Sequence, residues 1–171
     1  MKKILSLVLA LVLVLGVAGA MAAGSKSQGD MTVVTTKAAV TVVTVDDTEE
    51  TTALKKAFAD AIKAGDPKAA LPEDVAAKVS DDLKSVNEFV TAKLDGEVAE
   101  GASLTLNLVF PTKYEAGEKV AVLFGIPNGD ETKWIVADGT VESDGSITVT
   151  LSADDAAALA GKTFAIVVLS K

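Results

Sequence analysis

From residue 88 onward the chain is divided by turn signals into short apolar runs. They are Phe89 to Leu94, Leu104 to Phe110, Lys119 to Phe124, Lys133 to Ala137, Thr140 to Glu142, Ser146 to Leu151 and Thr163 to Leu169. Runs of this length, bounded by glycine, asparagine and aspartate, are the signature of strands. Asn128-Gly129, Asp138-Gly139 and Asp144-Gly145 supply the positive φ angles that tight turns demand, and the last of them predicts a hairpin. Leu104, Leu106 and Leu108 alternate with Thr105 and Asn107, the pattern of a strand with one face buried. Val86, Val90 and Leu94 fit a helical stripe as well as a strand; strand is preferred because everything beyond is punctuated as β-structure. Strands at this spacing predict a mostly antiparallel β-sandwich over residues 88–171. Ser152 with Asp154 and Asp155, then alanines to Gly161, predicts one capped helical turn before the last strand.

Residues 31–87 read differently. Thr32 to Val45 is nearly all Val, Thr and Ala, which favours a strand or strand pair through stiff χ1 angles and packing on a pleated surface. The same stretch, free of proline and glycine, also suits addition to the sheet edge of a partner; a native strand of the fold is the preferred reading. Asp46 and Asp47 followed by Glu49 and Glu50 have capping-box spacing and place negative charge at a helix start. Leu54, Phe58, Ala61 and Ile62 then recur at helical spacing up to Gly65 and Pro67. Leu71-Pro72-Glu73-Asp74 predicts a second short helix running to about Val79, and Ser80-Asp81-Asp82 resembles another cap. The expected class is therefore α+β, with a strand-prone and helical segment (31–87) ahead of the sandwich.

The first 22 residues carry an address. Lys2 and Lys3 precede a run from Ile4 to Leu15 that is apolar apart from Ser6, and small residues follow Gly16. That is the three-part layout of a bacterial secretory signal, with cleavage expected after Ala22 and Ala18-Gly19-Ala20 as a second option. The competing reading is an uncleaved anchor, because a bilayer span takes about 20 residues and the stretch from Ile4 to Ala23 just reaches it. Residues 23–30, polar and glycine-containing, read as a flexible spacer. The absence of cysteine excludes lipoprotein attachment, and Leu169-Ser170-Lys171 is not a wall-sorting tail.

The composition excludes more chemistry than any motif suggests. All 16 basic residues are lysines; arginine, histidine and cysteine are absent. Without cysteine there is no disulfide, thiolate nucleophile or cysteine-bound zinc, and without histidine the usual metal ligand and neutral-pH proton shuttle are gone. The formal net charge of −8 becomes −10 once Lys2 and Lys3 leave with the leader. Such a chain repels phosphate backbones and anionic lipid, so nucleic acid and membrane surfaces are not expected partners after processing.

Residues 88–171 resemble the immunoglobulin-like accessory modules of secreted and surface bacterial proteins. The resemblance rests on Phe110-Pro111-Thr112-Lys113-Tyr114-Glu115-Ala116-Gly117-Glu118-Lys119-Val120, the Trp134 strand, and Asp144-Gly145-Ser146-Ile147-Thr148-Val149. It lacks the cysteine pair of antibody domains. It implies a binding, spacer or scaffold role, with no catalytic residues to transfer.

Candidate sites each meet a plainer explanation. Gly161-Lys162-Thr163 has the tail of a phosphate-binding loop, but Ala156 stands where the first glycine belongs and the helix precedes the strand, the reverse of the required order. Neither G-x-S-x-G nor S-x-x-K occurs. The pairs Asp46/Asp47, Glu49/Glu50, Asp81/Asp82 and Asp154/Asp155 sit beside expected helix starts, where capping explains them better than calcium ligation or glycosidase chemistry. Asn128-Gly129-Asp130-Glu131 and Asp144 are oxygen-rich but read as turns. Trp134 is expected in the core or at its margin, and Tyr114 as a hydroxyl that anchors a loop.

The sequence thus predicts an exported, non-enzymatic protein without catalytic, metal or cofactor residues, binding or scaffolding at the cell surface or outside the cell through a protein partner. A calcium- or carbohydrate-binding module is the alternative, marked by calcium-dependent thermal stabilisation or a glycan signal. A carboxylate-based hydrolase comes third, and it requires two acids facing each other across a cleft roughly 5–9 Å wide.

Overall fold

A computed structural model describes Thr32–Val33, residues 40–112 and residues 114–171. The expected signal peptide and spacer lie outside the described residues. Within them the strands are β1 (Thr32–Val33), β2 (Thr41–Thr44), β3 (Ser85–Asp95), β4 (Leu104–Val109), β5 (Lys119–Asn128), β6 (Glu131–Val141), β7 (Ile147–Leu151) and β8 (Thr163–Ser170). All join one antiparallel sheet in the order β1-β4-β7-β6-β5-β8-β3-β2. The strand-prone stretch supplies both end strands, β1 against β4 and β2 against β3. Cα atoms of these end strands come within 8 Å of one another, so the sheet curls almost into a barrel.

The architecture is α+β with an antiparallel, β-rich body. The immunoglobulin-like expectation would divide the strands between two facing sheets, whereas here they form a single ladder. The reason lies in β5 and β6. They are longer than their turn punctuation implied, at 10 and 11 residues, and β6 passes from β5 to β7 at Thr140 without a break. Asp138-Gly139, expected as a turn, lies inside β6. Gly139 is required by close approach: a Cβ there would stand 2.6 Å from Val120 Cγ2 and 2.7 Å from Ile147 Cγ2. The Asn128-Gly129 and Asp144-Gly145 turns are present, with φ of 65° at Gly129 and 81° at Gly145.

The inner face of the curl is one apolar core. It includes Val90, Ala92 and Leu94 from β3, Leu104, Leu106 and Leu108 from β4, and Phe124 edge-on to Phe164 at 6.0 Å. Ala156 and Leu159 join it from helix α3 (Ala153–Leu159), whose N-cap Ser152 accepts from the Asp155 amide at 3.2 Å, as the sequence predicts.

Two helices cover part of the outer face: α1 (Glu49–Lys63) and α2 (Glu73–Ala76), joined through a 3₁₀ turn at Pro67–Ala70. Phe58, Leu71, Val75, Val79 and Leu83 pack there on Phe89, Ala121, Leu123, Ala165, Val167 and Leu169. Thr48 caps α1, correcting the expectation for Asp46 and Asp47. Its Oγ1 accepts from the Thr51 amide at 3.2 Å, while Thr51 Oγ1 accepts from the Thr48 amide at 2.9 Å. Asp47 instead accepts from the Thr91 hydroxyl and pairs with Lys55 at 3.0 Å. Gly65, at φ 86°, follows the C-cap of α1. Helix α2 is shorter than expected, and Ser80-Asp81-Asp82 leads into β3, where no helix begins.

Candidate functional site

Strand β3 carries an ionisable side chain into the apolar interior. Alternation alone would put Val86 and Glu88 on one face. A bulge between them changes the register from Val86↔Leu169 to Glu88↔Val168. Val86 therefore joins the helix-covered cluster with Phe89, and Glu88 turns inward with Val90, Ala92 and Leu94. Glu88 is only 5% exposed.

It lies where β3 and β5 begin and β4 and β8 end, beneath the β4–β5 connection. From that connection the Thr112 amide and hydroxyl lie near enough to the carboxyl to favour its charged form, although the hydroxyl completes no hydrogen bond, and Tyr114 buries its ring, 5% exposed, edge-on to Phe110 at 6.4 Å and 74°. The extra residue of the bulge, Asn87, donates from Nδ2 to Ser170 Oγ at 2.6 Å. Glu88 Oε1, Thr112 Oγ1 and Tyr114 Oη are all buried without a hydrogen-bond partner among the described residues.

Desolvation dominates the electrostatics. Burial pushes the Glu88 carboxyl up to about 7, and the polar groups of Thr112 offset only part of that. Burial also pushes the Tyr114 phenol up, reinforced by the charges of Glu88 and Glu118, with Asn87 acting in the opposite direction. A buried carboxyl pushed toward neutrality beside an unpartnered hydroxyl and phenol makes this cluster the candidate site. It can take up or release one proton near neutral pH. Sequence reading missed it. The available signal was parity: Glu88 falls in step with Val90, Ala92 and Leu94, placing a charge on the face those residues require to be buried.

The residues singled out from sequence are scattered. Glu49 and Glu50 occupy the first turn of α1, where the Glu50 amide and Thr48 hydroxyl hold the Glu50 carboxyl below its usual range. Asp81 binds Lys68 at 2.6 Å and Asp82 lies 3.6 Å from Lys171, so this pair ties segments together and caps nothing. Asp154 and Asp155 occupy the first turn of α3. Asp144 folds back to accept from the Ser146 amide and hydroxyl at 3.0 and 2.7 Å. Gly161 ends the turn after α3, and Lys162-Thr163 lead into β8, so no phosphate cradle is built. Trp134 is half-buried against Phe58 at 5.9 Å, at the margin of the outer core. Tyr114 packs its ring against Phe110, and its hydroxyl, near Asn87, completes no hydrogen bond among the described residues. Among the described residues no group of three or more Asp and Glu side chains gathers as a metal site. A shallow groove of about 270 Å³ runs past Gly65, Pro67 and Leu83, and its Lys68 and Asp81 are engaged with each other.

One surface stands apart. Among the described residues the helices stop at the margin of β6 and none lies on the outer faces of β7 and β4, where the Asn107 Oδ1 is nonetheless buried. Thr105 and Asn107 face Thr150 and Thr148 across the β4–β7 ladder, and Thr140 of β6 faces Thr148. The Thr105 and Thr150 hydroxyls meet at 3.2 Å, and Val109, 42% exposed, ends the patch. These six residues carry no charge in a chain that is 23% charged. No protein-family model, no curated protein and no solved structure matches this chain.

Proposed function

We propose that the protein is exported from a bacterial cell and works outside it without catalysis, by contact with a protein partner made through the uncovered face of β4, β7 and β6. The carrying observation is the neutral patch of Thr105, Asn107, Val109, Thr140, Thr148 and Thr150 on a chain of net charge −8. An acidic surface repels acidic neighbours, and a stretch of sheet with hydroxyls and one exposed valine, bordered on β6 by the exposed Asp138, is where a partner is approached at least desolvation cost. The basic-apolar-small layout of residues 1–22 supports export. The binding or scaffold role implied by the immunoglobulin-like resemblance is kept on these grounds.

Two measurements on the producing cells test the reading. The protein recovered from the surface or medium is expected to begin at Ala23; an intact chain starting at Met1 in the cytosol defeats export. The absence of native cysteine makes an introduced one unique, so Thr150→Cys can carry a photocrosslinker on intact cells. Crosslinked adducts are expected from Thr150→Cys and not from Lys78→Cys on the exposed helical side, and Thr148→Lys is expected to abolish them. Equal yields from both positions, or none, defeat the contact surface.

A further inference from the structure

We propose that Glu88 is a proton-operated pin of the barrel end: neutral, it stays inside against Thr112 and Tyr114, and when its proton leaves to solvent the carboxylate draws toward water and loosens the packing around Tyr114. The geometry motivates this. The bulge at Asn87 directs the side chain inward, and a carboxylate so placed is costly without a cation or a full set of donors.

No cation among the described residues acts on it. From β3 its polar neighbour is Asn87, spent on Ser170 of β8; from the β4–β5 connection it is Thr112 and Tyr114, with Glu118 acting on the Tyr114 phenol. Asp82, Lys84, Lys119 and Lys171 sit at the same end of the molecule in solvent, and none of them shifts Glu88.

The composition isolates the effect. The chain has no histidine or cysteine, so no imidazole or thiol adds its own titration near neutrality. Burial places the Glu88 carboxyl near 7. The folded state holds this proton more tightly than the unfolded chain does. Its contribution to stability is therefore complete below the ordinary glutamate range and is lost as pH rises through about 7. The folding equilibrium constant is expected to fall roughly 70-fold between about pH 5 and pH 8.

The test uses the full chain. The Glu88 side-chain carbon, followed by NMR, is expected to titrate near neutrality; a midpoint in the usual carboxylate range overturns the proposal. Tyr114 is the single tyrosine, so solvent-perturbation spectroscopy reads its exposure directly, and exposure is expected to rise along the same curve. Urea unfolding at both pH values is expected to show the loss in wild type and to lack it in Glu88→Gln, which keeps the shape and cannot ionise. A variant that keeps the full pH dependence, or a wild type with flat Tyr114 exposure, overturns the idea. If Glu88→Gln does not fold, the wild-type titration and Tyr114 exposure decide alone.

Discussion

Strands β8 and β4 lie in the same sheet and send alternate side chains into the same core, yet they are written differently. From Phe164 to Leu169 every residue of β8 is apolar and buried, because the inner core takes Phe164, Ile166 and Val168 while the helix layer takes Ala165, Val167 and Leu169. In β4 only Leu104, Leu106 and Leu108 are buried, and Thr105, Asn107 and Val109 face outward. The helices account for the difference: where they lie, burial removes the period-2 pattern, and where they end, it survives. Among the described residues, the helix layer buries the outer face of β8 and does not reach that of β4.

The strongest way to break this comparison is to remove the residue that joins helix layer to sheet. Phe58 is fully buried, with its ring 6.1 Å from Phe89 and 5.9 Å from Trp134. Phe58→Ala is expected to cost about 3–5 kcal/mol by urea unfolding, with Trp134 emission shifting to the red as the indole loses its cover. A loss under about 1 kcal/mol would show that the helices are an ornament on a self-sufficient barrel.

A smaller effect probes where the sheet passes from one half to the other. Gly139→Ala places a methyl against Val120 and Ile147 and is expected to cost about 1–3 kcal/mol. Gly125→Ala serves as the comparison. Its nearest neighbour, 2.8 Å away, is the half-buried Trp134 indole at the margin of the outer core, so its cost should be lower than at Gly139 and accompanied by a change in tryptophan fluorescence. Equal costs would mean that the indole is as rigidly held as the core.

The least effect is expected on the uncovered half. Val109→Thr, at the exposed end of β4, should change stability by no more than about 0.5 kcal/mol by thermal unfolding. A larger change would reveal that this face is covered within the chain.

Much of the β-body was legible, and for local reasons. The Leu104-to-Leu108 alternation, the turns at Gly129 and Gly145, the Ser152 cap and the end of α1 near Gly65 depend on residues within one turn or strand of each other. Asp138-Gly139 misled because a glycine needed for positive φ and one needed for close approach look alike in sequence. The helix cap was misplaced by one residue for a similar reason. Asp47 has cap chemistry, but its carboxylate is held by Thr91, distant in sequence, and by Lys55. Glu88 went unread because its inward direction depends on a bulge defined by the partner strand β8.

Sequence by itself determined the α+β content, the approximate strands and turns, and the lack of histidine and cysteine that leaves the neutral pH range nearly silent. Those follow from side-chain shape, backbone preference and elemental chemistry, each a property of a residue and its near neighbours. Tertiary structure decided that the strands make one curled sheet, that helices cover only part of it, and that a single glutamate points into its interior. These depend on which distant segments remove which surface from water, and desolvation is a property of the assembled fold.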